Sequence, residues 1–198
     1  KIYYITADSY SAAKNSPHLE IFRKKGIEVL LLSDRVDEWL VTNLTEYEGK
    51  PLQSVAKGEL DLVDDEDSKK ELEKKAKQSR KLLKRMKKVL GDKVEDVRVS
   101  NRLTDSPACI VLSEHDMAMY MQRLLKEAGH AMPGSKPVLE INPDRPIVKR
   151  LESEKDDDRF RDWSEILFDQ AILAEGGQLE DPAGFVHKLN QMLSSIAA

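Results

Sequence analysis

A long charged segment near the middle of the chain divides the sequence into two parts. Residues 69–90, KKELEKKAKQSRKLLKRMKKVL, contain neither glycine nor proline and place apolar residues at helical spacing. The predicted apolar stripe comprises Leu72, Ala76, Leu83, Met86 and Leu90. Because the other faces are charged, this helix has one face to bury. We therefore expect an acidic loop and a long basic helix, residues 58–90, to bridge a unit before it and a unit after it.

Residues 1–57 predict a small α/β unit. The opening KIYYI is rich in β-formers, and Asp8 or Ser9 is the candidate cap of a helix that ends near Gly26. Residues 27–33, IEVLLLS, predict a fully buried strand because the segment is apolar on both faces. A short helix in DRVDEWLVTNL and a turn and strand in EGKPLQSV complete the alternation of strand and helix.

Residues 91–198 predict an α+β domain. Three segments have the pattern of strands, namely VEDVRVS, ACIVLS and VLEINP, so we expect a three-stranded sheet. The chain ends in two amphipathic helices, DRFRDWSEILFDQAILAEG and PAGFVHKLNQMLSSIAA, with Asp181 as the N-cap of the second. The short loop between them predicts an antiparallel hairpin. The apolar stripes alone leave two readings open: packing on the chain's own sheet, or a four-helix bundle with a second copy.

A helix is also predicted at residues 113–129, SEHDMAMYMQRLLKEAG, between the second and third strands. Ser113 and Asp116 have the spacing of a capping box, and Gly129 fits the helix stop. Most such stripes belong to a core, but methionine also suits a surface that accepts many partners. One helical arc holds Met117, Tyr120, Met121, Leu124, Leu125 and Ala128, with Met119 on the opposite side.

Composition excludes several function classes. A net charge of −4 gives no bulk attraction to nucleic acid or anionic lipid, and one cysteine, Cys109, fits a reducing compartment. No apolar run approaches the roughly 18 residues of a membrane span, and no secretory leader is visible, so we expect a cytoplasmic protein.

The four histidines are scattered and no phosphate-binding or nucleophile motif is present. We therefore predict no catalytic residues, no metal and no cofactor in this chain. The chain also opens without methionine, which suggests a fragment of something longer.

The basic helix offers an alternative function. Lysines and arginines dominate residues 69–88, and such a stripe could contact the phosphates of a nucleic acid. No aromatic residues are interleaved for base stacking, and the preceding DDED partly offsets the charge. A solvated helix face is the simpler interpretation, and a nucleic-acid-binding module is the alternative.

Several strings together resemble the heat-shock protein 90 chaperones, in their bacterial form. Residues 1–55 resemble the end of that family's middle domain, and SDRVDEW is their most specific string. The segments VRVSNRLTDSPACIV, INPDRPIV and LFDQAILAEGGQLEDPAGFVHKLNQML resemble its C-terminal dimerisation domain, in the same order. Arg145 departs from the family, which often has histidine after NPD. The resemblance covers nearly the whole chain and is loosest at residues 58–88.

The resemblance implies a homodimer that binds non-native client proteins and works with other chaperones, without nucleic acid or membrane. It implies that ATP and Mg²⁺ bind in an N-terminal domain outside this chain, so the chain itself is no enzyme. The implied client-binding residues are Glu38, Trp39, Met117, Met121, Leu124 and Leu125. The implied dimer seam comprises Leu167, Ala171, Ala174, Leu189, Met192, Leu193 and Ile196.

Overall fold

The computed structural model describes residues 1–62, 66–130 and 135–197, with side chains described through residue 195. The N-terminal part contributes the strands β1 (Ile2–Thr6), β2 (Leu30–Leu32), β3 (Glu46–Tyr47) and β4 (Lys50–Ser54). They form a first sheet with strand order β2-β1-β4-β3. Strand β1 is parallel to both β2 and β4, and β3 and β4 form an antiparallel hairpin. The helices are α1 (Tyr10–Asn15), α2 (Glu20–Lys25) and α3 (Asp37–Asn43).

The predicted first helix is divided into α1 and α2. Ser9 caps α1 as predicted, since its hydroxyl accepts a hydrogen bond from the Ala12 backbone N–H at 3.1 Å. Gly26, with φ of 66°, ends α2. Between the helices, Ser16 is extended and Pro17 begins a short 3-10 turn. A residue before proline avoids the helical conformation, which explains the break.

The prediction of a fully buried strand at residues 27–33 was wrong. β2 spans three residues at one edge of the first sheet, and Leu30 is 51% exposed. A continuous apolar run is typical of a central strand, but this strand pairs with β1 on one side only among the described residues.

The bridging segment forms two helices, α4 (Glu66–Gln78) and α5 (Arg80–Leu90). They meet at Ser79, where the helical hydrogen bonds continue. The Ser79 N–H donates to the Lys75 carbonyl at 2.9 Å, and the Ser79 carbonyl accepts the Leu83 N–H at 3.0 Å. No residue of α4 is buried. The buried residues of α5 are Leu82, Met86 and Leu90, with Leu83 half-buried beside them. The predicted stripe is therefore fully buried only in its second half, and Leu72 and Ala76 in its first half are half-buried.

The second sheet is three-stranded, which confirms the prediction. The remaining elements in chain order are β5 (Asp96–Val99), β6 (Ala108–Val111), α6 (Met119–Glu127), β7 (Val138–Ile141), α7 (Pro146–Ser153), α8 (Asp157–Ala174) and α9 (Pro182–Ala197). The strand order of the second sheet is β5-β7-β6, with β7 parallel to β5 and antiparallel to β6. Together the elements make a mixed α+β fold with two small sheets. The boundaries at residues 57 and 90 stay a prediction.

Helix α6 begins six residues later than its sequence indicates. Ser113 and Asp116 form a turn in which the Asp116 carboxylate accepts the Ser113 backbone N–H at 3.3 Å. Ala118 is still non-helical, with ψ of 145°. The end is as predicted: Gly129 has φ of 81°, and the His130 N–H bonds the Leu125 carbonyl at 2.8 Å. Met117 therefore precedes the helix.

Helix α7 was missed in the sequence. It begins with Pro146 at its first position and buries Val148 and Leu151. Proline at a helix start and an apolar pair three residues apart are its local signals. These signals were overlooked because the helix is short and follows Asn-Pro-Asp, a sequence typical of turns.

The main core lies between the second sheet and the helices α5, α7 and α8. Helix α8 buries residues along most of its length, including Phe160, Trp163 and Ile166. Helix α9 packs on α8 as the predicted hairpin, and Asp181 caps it by accepting the Gly184 N–H at 2.9 Å. No helix in the described parts of the chain is long and apolar enough to cross a membrane.

Candidate functional site

A cleft of about 590 Å³ lies where α3 and the first sheet face the segment that leads into α6. Its first-sheet wall includes Val41 of α3 and Leu52 of β4, and its opposite wall includes Met117 and Leu125. Glu38, Lys57, Glu114 and Asp116 contribute its charged groups. The cleft therefore combines apolar walls with a mostly acidic set of side chains. The cleft brings together Glu38 from the first part of the chain and Met117 and Leu125 from the second, three of the client-binding residues that the resemblance implies.

Glu38 is enclosed by protein rather than presented to solvent. Its side chain is 4% exposed, and its Oε1 atom accepts hydrogen bonds from Lys57 Nζ at 2.6 Å and from the Ala118 backbone N–H at 3.0 Å. Burial opposes ionisation of Glu38, but Lys57 and the hydrogen bonds outweigh it, so the pKa lies below its ordinary value. Glu38 is thus a buried carboxylate that joins α3 to the start of α6.

Trp39 lies on the outer side of α3 and is 54% exposed. It is not among the residues that line the cleft. Four further large apolar residues, on this helix, at its two ends and on β3, are exposed, and none of them was predicted from the sequence. We call the five together the α3 patch: Val36, Trp39, Leu40, Leu44 and Tyr47.

The methionines of residues 117–121 have three different environments. Met121 is 6% exposed and packs with Ala118 and Tyr120 in a small cluster. Met117 is half-buried at the edge of that cluster, as are Leu124 and Leu125. Met119 packs against the main core. The expectation that Met121 lies on an exposed face was wrong, because Met121 is buried in the cluster with Ala118 and Tyr120. Its role with clients stays a prediction.

A buried arginine links the two sheets through its hydrogen bonds, and no local pattern in the sequence predicts this. Arg102 is fully buried, and its guanidinium donates to Glu140 Oε2 at 3.0 Å, to the Val55 carbonyl at 2.8 Å and to the Gly58 carbonyl at 3.1 Å. Glu140, on β7, also accepts from Arg98 and from the Ser100 hydroxyl. Arg102 stands in the string SNRLTDSPA, which carried the resemblance, but its partners lie about 40 residues away.

Glu20 holds the LTDSPA loop against the start of α2. Its carboxylate accepts the backbone N–H groups of Thr104, Asp105 and Ser106 at 2.6, 2.7 and 3.0 Å. Burial raises its pKa, but the hydrogen bonds from Ser106 and the loop backbone prevail and hold the pKa below its ordinary value. Glu20 and Arg102 together make the junction between the sheets largely polar.

The hairpin α8–α9 divides the predicted seam into covered and exposed residues. Leu167, Ala171 and Met192 are buried within the chain, which leaves them little surface for a second copy. Ala174 and Leu193 are exposed, Leu189 is half-buried, and the side chain of Ile196 lies outside the described residues. Two exposed apolar residues were missed, Leu173 and Val186. The seam stays a prediction, and its available surface is Leu173, Ala174, Val186, Leu189 and Leu193.

The described residues contain no group of three or more histidine, cysteine or acidic side chains that could hold a metal ion. Cys109 is fully buried in β6, and burial raises the pKa of its thiol well above the ordinary value. A buried protonated thiol does not act as a nucleophile.

Comparison with known proteins identifies the family. The sequence model described as Hsp90 protein matches residues 1–197. The chain belongs to the Hsp90 family. Curated Hsp90 relatives named "Chaperone protein HtpG" include those of Alkalilimnicola ehrlichii, 61% identical over 99% of this chain, and Nitrosomonas europaea, 63% identical over 98% of it. A third, from Dechloromonas aromatica, is 62% identical over the whole chain. The predicted resemblance to the bacterial Hsp90 proteins is confirmed.

The chain spans about 30% of the length of these Hsp90 relatives. None of the relatives reported above is named as a nucleic-acid-binding protein. Within the basic segment, Lys75 pairs with Glu71 and Asp144 at 2.9 and 2.8 Å, and Arg85 stacks on Phe160 at 3.7 Å. Part of that positive charge therefore stabilises the fold of this Hsp90 segment.

Proposed function

We propose that this chain is the part of an HtpG-type chaperone that dimerises and offers apolar surface to non-native proteins. The observation that carries the proposal is the α3 patch, in which five large apolar side chains remain exposed beside a partly apolar cleft. Exposed apolar residues in such a group are typical of an interaction site. Family membership and relatives named as chaperones support the same role.

The size of the patch fits weak and reversible binding. Fully burying a large apolar side chain gains about 1.5–3 kcal/mol, and these side chains are already about half covered, so the five together supply roughly 5 kcal/mol. Association costs about 4–15 kcal/mol. The balance allows release of a client, which a chaperone requires. Trp39 is the largest member of the patch and the natural anchor.

The hairpin surface supports dimerisation. Leu173 on α8 and Val186 and Leu193 on α9 are 46%, 51% and 53% exposed. A two-fold pairing of hairpins buries this surface in a four-helix bundle, with the same residues contributed by both copies. Two copies place two α3 patches in one particle, and this avidity strengthens client binding without new contacts.

ATP binding and hydrolysis are proposed for the part of the relatives that lies outside this chain. The 198-residue chain then holds the dimer together and binds clients, and it does not hydrolyse ATP by itself. An ATPase assay on the chain alone is expected to match the buffer blank, and turnover that copurifies with the chain would contradict this division of labour.

The proposal is tested by measuring the affinity for an unfolded protein. The probe is fluorescein-labelled α-lactalbumin that has been reduced and carboxymethylated, followed by fluorescence anisotropy. We expect Trp39→Ala with Leu40→Ser to raise the Kd about five- to thirtyfold, which corresponds to about 1–2 kcal/mol of lost burial. Both side chains are about half exposed, so the melting temperature changes little.

Tyr10→Ala is the matched control, because Tyr10 is an aromatic residue of similar exposure, 59%, that lies on α1 outside the α3 patch. Its Kd is expected to equal that of the parent. An unchanged Kd in the Trp39 and Leu40 variant would contradict the proposal. Binding that collapses steeply with added salt would point instead to the basic helix and the nucleic-acid alternative.

A further inference from the structure

We infer that Glu38 and Lys57 form a positioning pair that holds the start of α6 against α3, and that Glu38 does not itself contact the client. The inference deepens the proposed function and rests on the cleft being the client-binding region. The family resemblance implies that Glu38 contacts the client directly. In the present inference Glu38 positions the start of α6 instead.

The pair has little surface left for a client to reach. Glu38 and Lys57 are 4% and 8% exposed, and their charged atoms lie 2.6 Å apart. The Glu38 Oε1 atom is shared between Lys57 and the Ala118 N–H, and its Oε2 atom is buried. A client would have to displace these partners to touch the carboxylate, and breaking a buried charge pair is costly.

Lys57 lies where the two sheets meet. The residue forms an isolated parallel bridge with Leu112, and the next residue, Gly58, donates its N–H to the Leu112 carbonyl at 2.9 Å. Lys57 is thereby fixed to the end of β6, immediately before the segment that leads into α6. Its ammonium group then fixes Glu38, and Glu38 fixes Ala118.

Helix α6 depends on this outside acceptor. Its N-cap residue, Ala118, has no side chain that could satisfy the first backbone N–H groups. The carboxylate of Glu38 reaches across from α3 and accepts the Ala118 N–H at 3.0 Å. A negative charge at a helix N-terminus is stabilising. Without Glu38 the first turn of α6 loses this anchor, and Met117 and Met121 on either side of Ala118 lose their positions.

Four variants of the 198-residue chain separate positioning from contact, with the same labelled α-lactalbumin probe. We expect Glu38→Ala and Lys57→Met each to raise the Kd about tenfold, the scale of one lost charge-assisted hydrogen bond. The double variant is expected to match either single variant rather than their product. Glu38→Gln keeps an oxygen that accepts the Ala118 N–H, so its Kd is expected to rise less than threefold, roughly.

Amide hydrogen exchange supplies a readout that loss of a client contact would not change. In free protein, exchange at Ala118, Met121 and Gln122 is expected to accelerate in Glu38→Ala and Lys57→Met, while exchange in α9 stays as in the parent. Unchanged exchange in α9 shows that the variants remain folded. Trp39→Ala is the matched control: it weakens client binding and leaves exchange at α6 unchanged.

Direct contact predicts a different pattern. Lys57→Met would free the Glu38 carboxylate and leave the Kd unchanged or tighter, and Glu38→Gln would be as damaging as Glu38→Ala. Either result, or unchanged exchange at Ala118, would overturn the inference. A parent chain that does not bind the probe would overturn the proposed function alone, because the exchange measurement tests the Glu38–Lys57 pair without a client.

Discussion

Replacing Arg102 with methionine is expected to uncouple the two sheets. The substitution keeps much of the apolar volume and removes the guanidinium that bonds Glu140, the Val55 carbonyl and the Gly58 carbonyl. Removing one member of a buried charge pair typically costs 3–5 kcal/mol. Glu140 keeps Arg98 at 2.9 Å, so the lower end applies, and we expect a loss of about 3 kcal/mol.

Urea unfolding measures this loss. With an m value of about 2 kcal/mol/M, a loss of about 3 kcal/mol lowers the midpoint by roughly 1.5 M. In a Trp39→Phe background the remaining tryptophan is Trp163, which is 5% exposed in the core of the second sheet. Its fluorescence then reports that part, whereas far-UV circular dichroism reports the whole chain. If Arg102 joins the sheets, the two signals coincide in the parent and separate in the variant.

Arg98→Met is the matched control, because Arg98 bonds the same carboxylate but is one-third exposed. We expect it to cost about 1 kcal/mol and to leave the two transitions coincident. The reasoning would be refuted by an Arg102→Met midpoint no lower than that of Arg98→Met, with fluorescence and circular dichroism still superimposed.

Three further changes test other parts of the structure. Val186→Asp with Leu193→Asp places charge on the exposed hairpin surface. Light scattering at micromolar concentration is expected to show a dimer for the parent chain and a monomer for this variant. A monomeric parent would contradict the dimer proposal. The folded pKa of Glu20 is lowered, so its contribution is present above the unfolded pKa of about 4.3 and is lost as pH falls through the folded value. Glu20→Gln is therefore expected to lower the unfolding free energy by about 1–2 kcal/mol at neutral pH and by progressively less in acid; a constant deficit down to the acid range would contradict this. Gly177→Ala would place a Cβ atom 2.7 Å from a methyl of Ile172 and 2.9 Å from its carbonyl oxygen, and we expect a loss of about 1–3 kcal/mol in thermal unfolding, whereas an unchanged melting temperature would show that the α8–α9 loop adjusts.

Four helix ends were predicted correctly from local signals. Ser9, Gly26, Gly129 and Asp181 all cap or stop helices as their sequence positions indicated. A cap is a hydrogen bond or a backbone conformation within about four residues, so the segment itself contains both partners. The start of α6 was predicted wrongly although Ser113 and Asp116 have the spacing of a cap, because the helix begins at Met119 and the N–H of its N-cap residue bonds an acceptor on α3.

Burial was predicted less well than secondary structure. The apolar run at β2 and the stripe with Met121 carry the same kinds of residue, yet Leu30 is exposed and Met121 is buried. Which strand becomes an edge depends on the order of strands in the sheet. That order results from pairing between segments far apart in the chain.

The sequence by itself determined the Hsp90 family, most helix and strand positions, the three-stranded sheet and the closing hairpin, because local spacing and characteristic strings encode them. Only the tertiary structure decided that Glu38 is enclosed, that Arg102 joins the sheets and that Leu173, Val186 and Leu193 stay uncovered. These facts depend on partners such as Lys57, Ala118 and Glu140, which are 19–80 residues distant from the groups they bind. The local sequence around a charged residue does not predict whether its side chain will be paired in the folded protein or remain in water.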